Sequence, residues 1–303
     1  MIDSKTYRIH QIVFIFLATL VCFLPLTYFK SFSNFQIFLT LLLFFGLGIP
    51  HGALDLSLGK KLLQPRFGSC WSLIFILGYL LCGGIVVIGW IFFPLYAFLF
   101  FLAISVFHFG FSDRLYKEGW LGTWEGLARG LLPITVPAYF YPNLFQRLVE
   151  SSLSVEQTLL LIKIIQLFFY SDLILLLVVI LEGFWKMNKS AWMNSIELLT
   201  LFILFRVVEP FTAFLIYFCF LHSCKHILYV LEEMHKPLKL DTIKWLIVQA
   251  LPATLTTLVV LLICYWSFEH ETMDIPLMLN LFFISLAALT LPHMIVVEAS
   301  KKI

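Results

Sequence analysis

Charge is scarce in this chain of 303 residues: Asp, Glu, Lys and Arg together make up 13%, about half of what soluble proteins carry. Long polar stretches are missing too, so no segment offers a separately folding water-soluble core. The formal net charge is only +2. With no concentrated basic surface, nucleic acid is excluded as a partner. The 6 cysteines form no CxxC pair and mostly sit in apolar runs. They read as small buried hydrophobes, which excludes a disulfide framework. No internal repeat, inverted repeat or low-complexity tail is visible. What fills the chain is apolar: 61% hydrophobic residues, 33 Phe and a mean hydropathy of +0.97. Those values define an integral membrane protein.

An α-helix needs about 20 residues to cross the hydrocarbon layer. Apolar runs of that order occur at 11 to 29, 35 to 58, 71 to 92, 95 to 113, 123 to 141, 157 to 181, 192 to 208, 211 to 233, 243 to 267 and 275 to 298. The expected fold is therefore all-α, a polytopic bundle of about ten transmembrane helices forming a single domain over residues 1–303. Pro94 and Pro210 split longer apolar stretches, because the residue before a proline is pushed out of the helical region. The fifth run holds Glu125, Arg129, Pro133 and Pro137, and reads as kinked or partly re-entrant. The first follows Lys5 and Arg8 but is too long for a signal core and lacks a small-residue cleavage site, so it reads as a retained anchor.

Sorting the basic residues by side orients the bundle. Lys5, Arg8, Lys60, Lys61, Arg66, Arg114, Lys117, Lys186, Lys189, Lys236, Lys239, Lys244, Lys301 and Lys302 fall on one side, and only Lys30, Arg147 and Arg206 on the other. Short cytoplasmic loops collect such residues. Both termini are thus expected in the cytoplasm, with the chain a multi-pass protein of the cytoplasmic membrane. The segment from Ser267 to Asp274 carries acids and no Lys or Arg, as an outer loop should.

Ionisable groups inside a bilayer are costly and mark function. Of the 8 histidines, His10, His235 and His270 fall at or beyond predicted helix ends and read as interfacial or loop residues. His51, His108, His222, His226 and His293 remain. Counting back from the first basic residue after each helix places His51 roughly 13 Å, His108 roughly 9 Å, His226 roughly 15 Å and His293 roughly 12 Å inside, with His222 one turn deeper. All five lie on helices running from outside to inside, so one layer could gather them. His222 and His226 are spaced i, i+4, which stacks two imidazoles on one helix face. Singly, each histidine reads as a hydrogen-bonded packing residue. Converging, with no equally central carboxylate, they point to a transition metal. Acids follow each segment: Asp55, Asp113, Glu232 and Glu233, and Glu298. Such carboxylates orient ligating histidines, and Asp55, one turn from His51, is best placed. The alternative is that the acids mark solvated helix ends. Glu125 and Arg129, also i, i+4, read as a structural pair.

The segments IPHGALDL (49–56), FHFGFSD (107–113), ARGLLPITVPAYFYP (128–142), FLHSCKHIL (220–228) and LPHMIVVE (291–298) resemble the Brp/Blh family of bacterial and archaeal β-carotene cleaving dioxygenases, in order and spacing over nearly the whole chain. The resemblance implies a non-haem Fe(II) enzyme that cleaves the central double bond of β-carotene with O2 to give two retinal molecules, often for a microbial rhodopsin. Carried over residue by residue, it implies His51, His108, His222 and His226 as iron ligands, with His293 a fifth ligand or an outer hydrogen-bonding group beside Asp55 and Asp113. No catalytic residue beyond the metal ligands is implied. Lys225 stands where the family tends to carry Arg. Neutral imidazoles would leave the ion its charge and open positions beside an uncharged olefin, and a substrate dissolved in membrane lipid would enter laterally between Phe-rich helices.

Other readings compete. A haem-binding electron carrier could use two of the histidines axially. A metal or proton transporter could use the layer as a pathway, but the polar groups occupy one half of the membrane only and no inverted repeat accompanies them. A desaturase-like di-iron enzyme would need carboxylate ligands besides the five histidines.

Overall fold

The computed structural model describes residues 4–23, 42–116, 119–150, 152–186, 188–267 and 275–301, and within them all side chains except those of residues 4, 257 and 260–279. Among the described residues every regular element is helical. In chain order these are α1 (Ser4–Phe23), a π-helical segment Phe44–Gly48 leading into α2 (Ile49–Ala53), α3 (Asp55–Phe67), a 3-10 turn Gly68–Cys70, α4 (Trp71–Phe92), α5 (Pro94–Asp113), α6 (Gly119–Phe140), α7 (Pro142–Glu150), α8 (Val155–Trp185), α9 (Lys189–Val207), α10 (Pro210–Ile216), a second π-helical segment Tyr217–Ser223, α11 (Cys224–Glu233), α12 (Leu240–Ser267) and α13 (Ile275–Ser300). Seven stretches among the described residues are long and apolar enough to cross a membrane. One of them, Phe44–Phe92, is 49 residues long and takes in the expected run 71 to 92 and the part of the run 35 to 58 from residue 44 onward.

Helix boundaries follow local chemistry. Pro94 and Pro210 each occupy the first helical position, where the missing N–H costs nothing. Glu209 caps α10 by accepting from the N–H groups of Phe211 and Thr212. Ser154 and Gln157 form a reciprocal capping box at α8. Gly68, at φ +52°, ends α3 and lets the chain turn into α4. α6 passes through Pro133 and Pro137 as one 22-residue helix. Neighbouring helices support the carbonyls that a proline leaves free. The second expected run begins among residues outside the described ones, as does the outer loop after Ser267.

Two features of packing place the site. First, α5 and α6 touch backbone to backbone. A Cβ on Gly110 would stand 1.9 Å from the Gly126 carbonyl oxygen, and one on Gly130 would stand 2.0 Å from that of Val106. Small residues permit this approach between membrane helices, and it brings His108 and Arg129 into the same interior. Second, the main apolar core wraps the segment around residues 213–221, joining Phe14 and Ala18 of α1 to Phe109, Leu132, Leu198, Leu204, Phe205, Tyr217 and Leu221. The outer faces of α4 and α8 remain apolar and exposed, with Leu80, Leu81, Leu167 and Ile174 among them, as a lipid-facing surface requires.

Candidate metal centre

The five intramembrane histidines meet. His51 on α2, His108 on α5, His222 in the second π segment, His226 on α11 and His293 on α13 are all buried. Their ring centroids lie 4.8 Å apart for His108 and His222, 4.8 Å for His226 and His293, 4.9 Å for His108 and His293, and 5.1 Å for His51 and His293. His51 also stands 5.7 Å from His222 and 5.6 Å from His226. His293 thus packs against three of the other four.

The local sequence explains how the rings converge. His51 and His222 both sit in or just after π-helical turns, Phe44–Gly48 and Tyr217–Ser223. A π turn widens the helix and re-aims the side chains that follow it, and such turns concentrate at functional sites. The flanking residues Ile49, Ile216 and Cys224 keep ordinary right-handed helical angles, so each π turn is an insertion in a continuous helix. His222 and His226 flank the second junction, and both rings meet that of His51.

Three of the rings are oriented by a partner at Nδ1, and the partners come from unexpected places. His293 donates Nδ1–H to Asp55, at 2.8 Å from both carboxylate oxygens. His222 directs Nδ1 at Asp113 Oδ1, 3.3 Å away. His51 donates Nδ1–H to the Gly48 carbonyl of its own helix, with Ser223 Oγ at 3.3 Å from the same nitrogen. The expectation that Asp55 serves His51 is therefore corrected. Gly48 already satisfies His51, Leu54 interrupts the helix between α2 and α3, and Asp55 turns to α13. Asp113 likewise serves His222 and not His108, five residues before it. Glu232, Glu233 and Glu298 do not join. They pair with Tyr7, Lys61 and Lys301 respectively, at half-buried or exposed helix ends.

With Nδ1 committed, Nε2 of these rings is left with its lone pair. His108 Nε2 and His222 Nε2 lie 3.0 Å apart. His226 Nε2 and His293 Nε2 are buried with no hydrogen-bond partner among the described residues. Buried polar atoms left unsatisfied cost about 1–3 kcal/mol each, so two in contact with three more imidazoles mark a place built for something else. One ligand atom each from His51, His222 and His293 falls within 4.8 Å of the others, as does one each from Asp55, His226 and His293. A donor set of five imidazoles, two of them turned by carboxylates and one by a backbone carbonyl, fits a transition-metal ion.

The carboxylates are themselves held. Tyr79 OH donates to Asp55 Oδ2 at 3.0 Å and Tyr217 OH to Asp113 Oδ2 at 2.9 Å. Two tyrosine–aspartate–histidine chains thus reach the cluster from separate helices. Beyond Asp113 lies a buried ionic network. Lys225 Nζ donates to the Asp113 carbonyl at 3.0 Å and to Glu197 Oε1 at 3.1 Å. Arg129 bonds Glu125 at 2.8 Å, Glu197 at 2.6 Å and Asn194 at 2.5 Å. Glu125 also accepts from the backbone N–H groups of Leu115 and Tyr116. The Glu125–Arg129 pair is present as expected, but as part of this larger set.

Tyr79, Tyr217, Asn194 and Glu197 escape sequence reasoning. Glu197 stands in the apolar run MNSIELLTL, and the cost of an intramembrane carboxylate is the signal that could have found it. The same signal points to Asp172, which accepts from Thr135 Oγ1 at 2.6 Å away from the cluster. Aromatic rings close the remaining sides. Phe109 lies 4.7 Å from His222, and Phe218 lies 5.1 Å from His51 and stacks on His222 at 6.0 Å.

Comparison with known proteins follows the same line. The chain is 28% identical over 252 residues to a beta-carotene 15,15'-dioxygenase from an uncultured marine bacterium, covering 83% of this chain and 89% of that one. It is 27% identical over 276 residues to a probable beta-carotene 15,15'-dioxygenase Blh of Halobacterium salinarum, covering 82% and 80%. No solved structure matches. The sequence model of the beta-carotene 15,15'-dioxygenases matches residues 42–300, spanning every histidine of the cluster, and the chain belongs to that family.

Proposed function

We propose that this chain cleaves the central double bond of β-carotene with O2 to give two molecules of retinal, and that its histidine cluster holds the Fe(II) on which the reaction depends. The observation that carries the metal reading is the pair of buried, unpartnered nitrogens among the described residues, His226 Nε2 and His293 Nε2, within a cluster in which His51, His222 and His293 turn Nδ1 to a carbonyl or a carboxylate. His51, His108, His222 and His226 would bind the ion. The contacts of His293 with His51, His108 and His226 and its Asp55 partner favour it as a fifth ligand.

Bound ferrous iron would supply the electrons that activate O2 for insertion of its two atoms across the cleaved C=C bond. The protein's own contribution is positional. Asp55, Asp113 and Gly48 hold three imidazoles in one tautomer, leaving Nε2 free to ligate. No side chain is required as acid or base, since two aldehydes form without net proton transfer. Phe109 and Phe218 keep water from the cluster and offer aromatic faces to a polyene. β-carotene would arrive from the membrane lipid, laterally between helices.

The single catalytic domain would extend over residues 1–303, crossing the cytoplasmic membrane about ten times with both ends in the cytoplasm, as the distribution of Lys and Arg favours. A microbial rhodopsin is the natural client for the product. Expression in a bacterium that accumulates β-carotene tests the function: colour should fade and retinal should appear by chromatography. Full retention of β-carotene by well-expressed protein would overturn it.

A further inference from the structure

We propose that His10, on the N-terminal helix α1, is a positioning residue for the metal centre, acting through the backbone of the π turn that carries His222. His10 Nε2 lies 2.8 Å from the carbonyl oxygen of Phe220, two residues before His222. Phe220 is inside the π segment Tyr217–Ser223, where the widened turn disturbs the regular i to i−4 ladder and exposes carbonyls to outside donors. An N–H donated by His10 fixes that turn from outside its own helix.

Three observations favour a brace over an incidental contact. From Ile12 to Phe23, α1 is apolar but for Thr19, and an imidazole at the mouth of such a run carries a cost that an apolar side chain of similar size would avoid. The remaining nitrogen, His10 Nδ1, is buried with no partner among the described residues, so the Phe220 bond is the contact that offsets that cost. α1 is also clamped on both sides of the bond. Tyr7 OH donates to Glu232 at 3.3 Å on α11, and Phe14 and Ala18, fully buried, pack in one core with Tyr217, Phe218, Cys219 and Leu221. The family match begins at residue 42, so this brace comes from a helix outside the matched stretch. Its role toward the metal rests on the function proposed above; its role in holding the turn does not.

The test compares His10→Phe, His10→Gln and Phe98→Leu, whose side chain is buried in a separate core with Trp90 and Phe101, in the purified full chain. Glutamine can still donate to the Phe220 carbonyl, whereas phenylalanine fills the space without donating. Hydrogen exchange across residues 217–223 reads the turn directly. His10→Phe should speed it about threefold to tenfold, as loss of one hydrogen bond implies, and His10→Gln should restore protection. Phe98→Leu should lower the melting temperature without that local change. With Co(II) as probe, the ligand-field bands should shift in His10→Phe and stay in place in His10→Gln. Should phenylalanine prevent folding, His10→Asn, too short to reach the carbonyl, makes the same comparison. Wild-type exchange in the donor-less variant, or equal acceleration in all three, would overturn the brace. Failure of the wild-type chain to take up Co(II) would count against the metal reading, while exchange would still decide the brace.

Discussion

Asp55 accepts its hydrogen bond from His293, 238 residues along the chain, although His51 stands only four residues before it. Asp113 does the same with His222 across 109 residues. The acids that follow the first two histidine motifs are crossed between helices, so each of these carboxylates ties two segments of the bundle together. The cluster is thereby an assembly of tertiary contacts, and its orientation depends on the whole bundle.

Crossing makes a prediction for Asp55. Asp55→Ala should impair His293 more than His51. Iron affinity should fall about 10–100-fold, the usual cost of losing such a partner, while Asp55→Asn, which still accepts through its carbonyl, should lose less. Metal titration of the purified variants checks this. Equal effects of the two substitutions would argue against an orienting role.

The tyrosines behind the carboxylates carry a smaller share. Tyr79→Phe and Tyr217→Phe each remove one hydroxyl donor from a carboxylate that keeps its histidine. Each should cost about 0.5–1.5 kcal/mol of ligand orientation, read as a loss of up to about tenfold in retinal formation with the iron content largely retained. The double variant should lose more than either alone.

The ionic network predicts stability. Arg129 is buried and bonds three partners. Arg129→Met leaves Glu125 with backbone N–H partners but no cation and Glu197 with Lys225 alone, which should cost about 3–5 kcal/mol. Lys61→Met, breaking the half-exposed pair with Glu233, should cost less than about 1 kcal/mol. Thermal unfolding in detergent, followed side by side, separates them.

Close approach of α5 and α6 predicts intolerance at two glycines. Gly110→Ala and Gly130→Ala would each drive a methyl group into a backbone carbonyl, at 1.9 Å and 2.0 Å. The cost should exceed the ~1–3 kcal/mol of ordinary overpacking. Gly52→Ala, where a Cβ meets nothing within 4 Å, is the control. Folded yield by size-exclusion chromatography should fall for the first two and hold for the third.

Much of this was legible in the chain itself. The depth of each histidine follows from helix rise and the nearest basic residue, and depth is a local quantity, so the gathering of His51, His108, His222, His226 and His293 into one layer is readable. Which acid serves which histidine is set by helix neighbours and rotation, so proximity in sequence misassigned Asp55 and Asp113. The π turns are likewise hidden, since FFGLG and YFCFLHS carry no periodicity that separates them from α-helix. His10 read as an interfacial residue because it lies near the start of α1, and only packing reveals the Phe220 carbonyl beside it. Glu197 and Tyr79 lie on helices without a histidine, where a search anchored on histidine motifs does not look.

The central claim is that one iron ion held by the histidine cluster carries the cleavage of β-carotene. The most direct measurement is retinal formed per chain as iron is titrated into the stripped, purified protein, alongside His222→Ala. Retinal formation should rise in proportion to bound iron, level off at one ion per chain, and be absent in the variant at every iron concentration. Retinal formation by the stripped chain, or undiminished formation by His222→Ala, would contradict it.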